Sequence, residues 1–536
     1  MNKKLKFALV SLVSLITLSS CSLLSYFFQS KVDPFDYEYE GGYLRYDSNY
    51  ENYQKLPTYK DLNNANGGMV LDSIGEQKML VVPVEFNDYP ISRSSKEPLR
   101  KDINRAFFGE SDETGWESVA SFYHKSSYGQ LMLTGEVTDW INLEKETTYL
   151  ATYVETNKEN PNYRALDATY FVLEEVYRQL PKSLLEEYDT DNDGYIDAIY
   201  LIYSAPNYQR AGQGALDKDV FWAYSFWYYG NDDAIDPNNT GKPQPYSYAW
   251  SSYDFMYNEY GTKKVDAHTF IHETGHILGL DDYYDYGGET SPLGGVDMMD
   301  NNIIDHNAFS KMSLGWIDPL YVTGDTDIFL APFHSSGDAI IINDSWNKMP
   351  FDEYILLEYY QPLGLNAQDS IKTVEDLFNN RLRGFSKYGV RVYHVDARLI
   401  RNAYYKKNGL TYMSNSNNDY VNKISASYEE DGNTYKVEVA HSNSKDVKPP
   451  RNKINEQFSL IALLNASDYN SLSYRYKPKG SIKTMADTSK YADNASLWVE
   501  GDYLKLPLFN NGEAVGYEIY FGQMLADGAE IQIRRF

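Results

Sequence analysis

The chain holds a single cysteine, Cys21, in 536 residues. One thiol excludes an intrachain disulfide, and it excludes cysteine-based metal binding or thiol catalysis in the body of the protein. Histidine is scarce as well, at 8 residues, so each one carries weight. Positive charge is in deficit: 49 lysines and arginines face 76 aspartates and glutamates, a formal net charge of −27. Such a surface repels phosphate backbones and argues against a nucleic-acid partner. Long apolar runs are missing too. Only residues 8–18 stand out, behind Lys3, Lys4 and Lys6, and that run is too short to anchor comfortably across a bilayer.

A short apolar core behind a basic start suits an export signal. It is followed by LSSC, which resembles a bacterial lipobox, with Cys21 where lipid would be attached. The expectation is a lipoprotein signal peptide over 1–20 and an exported cell-surface lipoprotein, anchored to the bacterial membrane through Cys21 or shed from it. The plainer reading is an ordinary signal peptide with a chance cysteine. Residues 21–75 are polar and tyrosine-rich and read as a tether or short pro-segment.

Order begins at "KMLVVPVEF", an apolar run with the look of a buried strand. "YRALDATYFVLEEVYRQL" has helical spacing and stops before Pro181, and "YIDAIYLIYSA" reads as another buried strand. Residues 205–247 hold Gly, Pro and Asn runs and read as a long surface loop. Beyond Pro319, short apolar runs alternate with polar turns. The fold class expected is α+β: a catalytic domain over 76–320 with a mixed sheet and an active-site helix, then a mostly β region over 321–536, a sandwich.

"HETGHILGLDD", starting at residue 272, carries the chemistry. Residues four apart share one helix face, so His272 and His276 can aim ring nitrogens at one ion, with Glu273 beside them near a water. Gly279 permits a sharp backbone turn, which can swing Asp282 under the same ion. Two histidines, one aspartate and an open fourth position make the layout of a catalytic zinc site. Asp281 fits only a shorter turn, Glu289 lies in what reads as loop, and His268, one turn earlier, reads as a packed or supporting histidine.

"DTDNDGYID" places Asp189, Asp191, Asp193 and Asp197 at alternate positions, with Gly194 at the turn and Tyr195 offering a carbonyl. That is three-quarters of a calcium loop, but Tyr200 stands where a bidentate glutamate belongs. The loop reads either as a partial Ca2+ site or as an acidic turn capped by its own aspartates.

HETGHILGLDD also fits HExxHxxGxxD and resembles the immune inhibitor A-like (family M6) metallopeptidases, metzincin relatives in which an aspartate replaces the third histidine. "SFYHKSSYGQLML" and "DNDGYIDAIYLIYSA" resemble that family's N-terminal half, and the likeness runs from residue 78 to about 400. "GGVDMMDNN" resembles its methionine turn, which implies that Met299, with Met298 close behind, floors the metal. The resemblance includes calcium-stabilised members and so favours calcium at the acidic loop.

The expected activity is extracellular, zinc-dependent endopeptidase cleavage of protein or peptide substrates by a monomer, with Glu273 taking the water's proton and passing it to the leaving amine. His306, Tyr283 and Tyr284 are candidate donors to the transition-state oxyanion. "YAWSSYDFM" is the candidate sheet edge for an extended substrate. The alternatives are a surface binding lipoprotein with a vestigial zinc site, and a zinc amidase acting on cell-wall peptides. Intact Glu273 argues against the former, because a site that only holds metal needs no proton acceptor.

Overall fold

The computed structural model describes residues 42–46, 54–157, 165–228, 235, 238, 240–257, 265–287, 291–371, 373–375, 380–407, 410–413, 419–444, 458–469 and 491–536. Cys21, the leader and Glu289 lie outside these residues. The segment read as a tether is partly folded. Strand β1 (Tyr43–Arg45) pairs antiparallel with residues 320–322, and helix α1 (Tyr59–Ala65) opens with a capping box between Thr58 and Asp61. Tyr59 sets its ring edge against Phe351 and Phe309, at 5.2 and 6.4 Å. Seven residues with two buried side chains are too few to show a helical period, and partners some 250 residues away supply the stability.

The N-terminal part of the described chain is built on a five-strand core. In chain order the elements are β2 (Gly75–Glu85), α2 (Arg93–Phe108), α3 (Val119–Ser126), β3 (Leu131–Val137), α4 (Tyr170–Gln179), β4 (Ile199–Tyr203), β5 (Tyr224–Trp227), β6 (Ser247–Ser252) and α5 (His268–Ile277). The strands lie in the order β3-β2-β4-β6-β5, all parallel except β5. Alternate side chains of β2 feed two layers. Leu80, Val82 and Val84 pack with Leu173 and Val176 of α4, while Met79 and Val81 face the layer that holds Phe107, Phe122 and Phe270. The mixed sheet and active-site helix are therefore present.

Two expectations change here. "YAWSSYDFM" forms β6, which is flanked by β4 on one side and β5 on the other, so it is not an edge. The edge strand is β5, inside the segment read as a surface loop. Alternation of side chains reports which face is buried but not how many neighbours a strand has, so sequence alone misplaces the edge.

The C-terminal region supplies β7 (Leu320–Val322), β8 (Thr326–Leu330), β9 (Ala339–Ile342), β10 (Glu353–Tyr360), β11 (Gly389–Asp396), β12 (Leu399–Lys407), β13 (Asn433–Val439), β14 (Ile461–Leu463), β15 (Tyr503–Lys505), β16 (Tyr517–Met524) and β17 (Ala529–Arg535). A six-stranded sheet, β1-β7-β9-β10-β11-β14, packs one face on the four-stranded sheet β8-β17-β16-β15. Ile355 and Leu357 of β10 point into that sandwich. Tyr354 and Leu356, on the opposite face, join the same core as α5. The fold is α+β, and the sandwich buttresses the helix that carries the histidine pair.

Candidate active site

Helix α5 ends in a glycine turn that places the third donor. Gly279 adopts φ +103°, its N–H donates to the His276 carbonyl, and Leu280 N–H reaches back to the Gly275 carbonyl. This is a Schellman ending, which reverses the chain immediately after the helix. The reversal brings Asp282 Oδ1 to 3.0 Å from His272 Nε2 and 3.2 Å from His276 Nε2. Asp282, not Asp281, supplies the carboxylate of that cluster.

Both imidazoles are held from behind. His272 Nδ1 donates to the Met298 carbonyl at 2.8 Å, and His276 Nδ1 to the Leu280 carbonyl at 2.7 Å. Donation at Nδ1 leaves the lone pair on Nε2, so two imidazole nitrogens and one carboxylate oxygen face a common point. That donor set fits a transition metal with nitrogen and oxygen ligands and a catalytic rather than structural role. Electrostatics agree. Burial pushes His276 down, yet Asp282 outweighs it and carries the ring up to about 10. Asp282 itself lies far below the ordinary carboxylate range, because His276 and His272 overcome the effect of burial. A carboxylate that draws protons onto two imidazoles is one that a divalent cation would neutralise.

Glu273 is 5% exposed, and burial raises its carboxyl while His272 and His276 pull it down. Ser225 of the edge strand donates to the Glu273 carbonyl at 2.8 Å, with the carboxylate Oε2 at 3.3 Å. Tyr286 donates to the second oxygen of Asp282 at 2.8 Å. Neither Ser225 nor Tyr286 is discernible in the sequence: one lies in apparent loop, the other is one tyrosine among 51.

Met299 packs against α5 so closely that a Cβ on Gly275 would stand 2.5 Å from its sulfur. Asp297 caps this turn through Met299 N–H and also accepts from Asn307. His268 is packed, stacked on Trp116 at 4.4 Å with Nδ1 against Asp266.

His306 does not reach the cleft. It is fully buried among Phe122, Tyr123 and Trp316, and neither ring nitrogen has a hydrogen-bond partner among the described residues. Tyr283 is likewise buried, bonded to Ser310. Of the donors expected, only Tyr284 lines the cleft.

Two cavities meet at the site and share Ala223, Glu273 and Tyr284. One, of about 610 Å³, runs past His276 and Asp282 along Tyr224 and Trp227 and is walled by residues 436–439 of β13. The other, of about 520 Å³, opens on the His272 side.

The acidic loop gathers Asp189, Asp191 and Asp193, with carboxylate oxygens within 4.8 Å of one another. The loop also bonds its own backbone: Gly194 N–H to Asp189, Asp193 N–H to Asp191, Tyr195 N–H to Asp193. Asp197 is turned aside to Thr190.

No curated protein matches the chain. Residues 69–303 match the family model described as the immune inhibitor A peptidase M6, catalytic domain. The matched span contains the edge strand, the glutamate and the two imidazoles with their carboxylate, and it makes this part of the chain a metallopeptidase catalytic domain of the immune inhibitor A family.

Proposed function

We propose that the protein is a zinc-dependent endopeptidase that works outside the cell. The observation that carries this is the convergence of His272, His276 and Asp282 beside Glu273, at the meeting point of two cavities along an edge strand. His272 Nε2, His276 Nε2 and Asp282 Oδ1 would hold the metal. Bound zinc supplies the Lewis acidity that lowers the pKa of a water toward neutrality and polarises a carbonyl.

The remaining steps belong to the chain's own groups. Substrate lies extended along Tyr224–Trp227, whose outer side has no strand partner among the described residues, and pairs with it through backbone hydrogen bonds. Glu273 takes the proton from water as the carbonyl is attacked, then delivers it to the departing amine. Ser225 keeps that carboxylate aimed, and Tyr284 is placed to donate to the developing oxyanion. The acidic loop is proposed as a Ca2+ site that supports the fold. Export and lipid attachment at Cys21 complete the reading.

The test is metal analysis joined to casein zymography. Zinc near one equivalent per chain and chelator-sensitive clearing are expected. Glu273→Gln should keep the metal and lose at least about a hundredfold in kcat. Full activity in that variant would sink the mechanism. Radioactive palmitate should label the wild type and not Cys21→Ser. Calcium added back to a chelated sample reloaded with zinc should raise the melting temperature.

A further inference from the structure

We infer that Asp297 is a positioning residue for the metal ligands, acting through the peptide group between Met298 and Met299. The inference rests on the peptidase reading above and adds to it a residue that touches neither metal nor substrate.

One peptide group joins this carboxyl to a ligand. Its N–H, on Met299, donates to Asp297 Oδ1 at 2.9 Å, and its C=O, on Met298, accepts from His272 Nδ1 at 2.8 Å. A trans peptide is planar, with N–H and C=O pointing in opposite directions, so a hold on one end aims the other. Asp297 therefore sets the direction in which the His272 ring is held. The next carbonyl serves a second ligand. Met299 C=O accepts from Tyr283 N–H at 2.8 Å, and Tyr283 directly follows Asp282. The Met299 side chain meanwhile presses on Gly275, between the two histidines.

Asp297 is itself anchored inside the protein. It is fully buried, and Asn307 donates to its Oδ2 through the backbone N–H at 3.2 Å and through Nδ2 at 2.9 Å. Asn307 Oδ1 accepts from Ser310 N–H at 3.0 Å, and the Ser310 and Tyr283 hydroxyls share a hydrogen bond at 2.8 Å. These bonds close a ring that runs from Asp297 through Asn307, Ser310, Tyr283 and Met299 and back. Capping a four-residue helix does not account for it. Serine caps as well as aspartate and costs far less to bury. The carboxyl brings two oxygens, one that aims the peptide and one that locks onto Asn307. Such a circuit fixes a ligand imidazole before metal arrives, which is how partners behind a ligand raise affinity.

The experiment compares wild type, Asp297→Ala and Asp297→Ser in the full chain. Serine keeps the cap on Met299 N–H and drops the Asn307 bonds, whereas alanine drops both. Both variants should melt below wild type, because each leaves the Asn307 donors unpaired, so stability alone cannot separate them. Zinc affinity is read by competition with a chromophoric chelator. The His272 Nδ1–H resonance is read by NMR, with and without zinc, in protein carrying 15N in its histidine rings and assigned through His272→Gln. Asp297→Ala should bind zinc about 10–100-fold more weakly, and Asp297→Ser should recover most of that loss. The resonance should move and exchange faster in the alanine variant and return toward its wild-type position in the serine variant. Tyr283→Phe opens the ring at Ser310 and leaves every ligand in place, so it decides the matter if alanine does not fold. It should weaken zinc roughly 3–10-fold, the worth of one hydrogen bond. Wild-type affinity and resonance in these variants, or serine no better than alanine, overturns the positioning role. A wild type that binds no zinc, while the resonance still responds to Asp297→Ala, overturns the zinc reading and leaves the positioning standing.

Discussion

Ser225 and Glu273 are tied together: the serine hydroxyl on the edge strand lies 2.8 Å from the glutamate's backbone oxygen and 3.3 Å from its carboxylate. The strand that would align substrate thus also fixes the proton carrier. Ser225→Ala is expected to lower kcat roughly tenfold, equivalent to about 1.4 kcal/mol, with zinc content and KM little changed. Parallel steady-state kinetics and metal analysis check this. An unaltered kcat would show that the glutamate needs no such support.

Tyr286 donates to the outer oxygen of Asp282 at 2.8 Å, behind the carboxylate proposed as a metal ligand. Partners behind a ligand are typically worth about 10–100-fold in metal affinity. Tyr286→Phe should weaken zinc binding by that factor in competition with a chromophoric chelator. Wild-type affinity in the variant would make Tyr286 a bystander.

Gly279 is the joint between the second imidazole and the carboxylate. At φ +103° an alanine is strained, and its Cβ would stand 3.0 Å from the Tyr59 Cβ. Gly279→Ala should cost about 1–3 kcal/mol in stability and displace Asp282. The expected result is a lower melting temperature together with reduced zinc content. Loss of stability with full zinc occupancy would separate the turn from the metal.

Asp352, immediately before β10, has its carboxyl raised to about 6 by burial, against the pull of the Asn347 and Glu353 N–H groups. A raised carboxyl is neutral in folded and unfolded chains below about pH 4, so it costs nothing there. Between pH 4 and 6 the unfolded chain ionises first, and the folded state loses stability as pH rises. Stability of wild type relative to Asp352→Asn should therefore fall by on the order of 2–3 kcal/mol from pH 4 to 7. Denaturant melts at several pH values measure that slope. A flat difference would remove the assignment.

Legibility in the sequence follows the range of the interactions. The imidazole pair is set by helix geometry over four residues, and the glycine turn to Asp282 by the next six, so their convergence is written locally. The sandwich is foreshadowed by alternating short runs such as the one that becomes β10. What depends on distant partners is hidden. Tyr59 looks like part of a tether because Phe309 and Phe351 bury it. The strand at 247–252 looks like an edge because the strand that covers it, with Ser225, sits in a stretch dominated by loop residues. His306 looks like a donor because nothing in its neighbours announces that Phe122 and Trp316 enclose it.

Asn66, just past α1, makes two hydrogen bonds with the backbone of Val437, at 2.6 and 3.1 Å. The wall facing the metal residues is thus clamped between chain segments some 370 positions apart. A growing polypeptide that has emerged only through α5 already owns its imidazoles but not the far side of its cleft. The far wall arrives only once residues 436–439 have emerged, so a chain terminated before them would carry the two imidazoles without the grip.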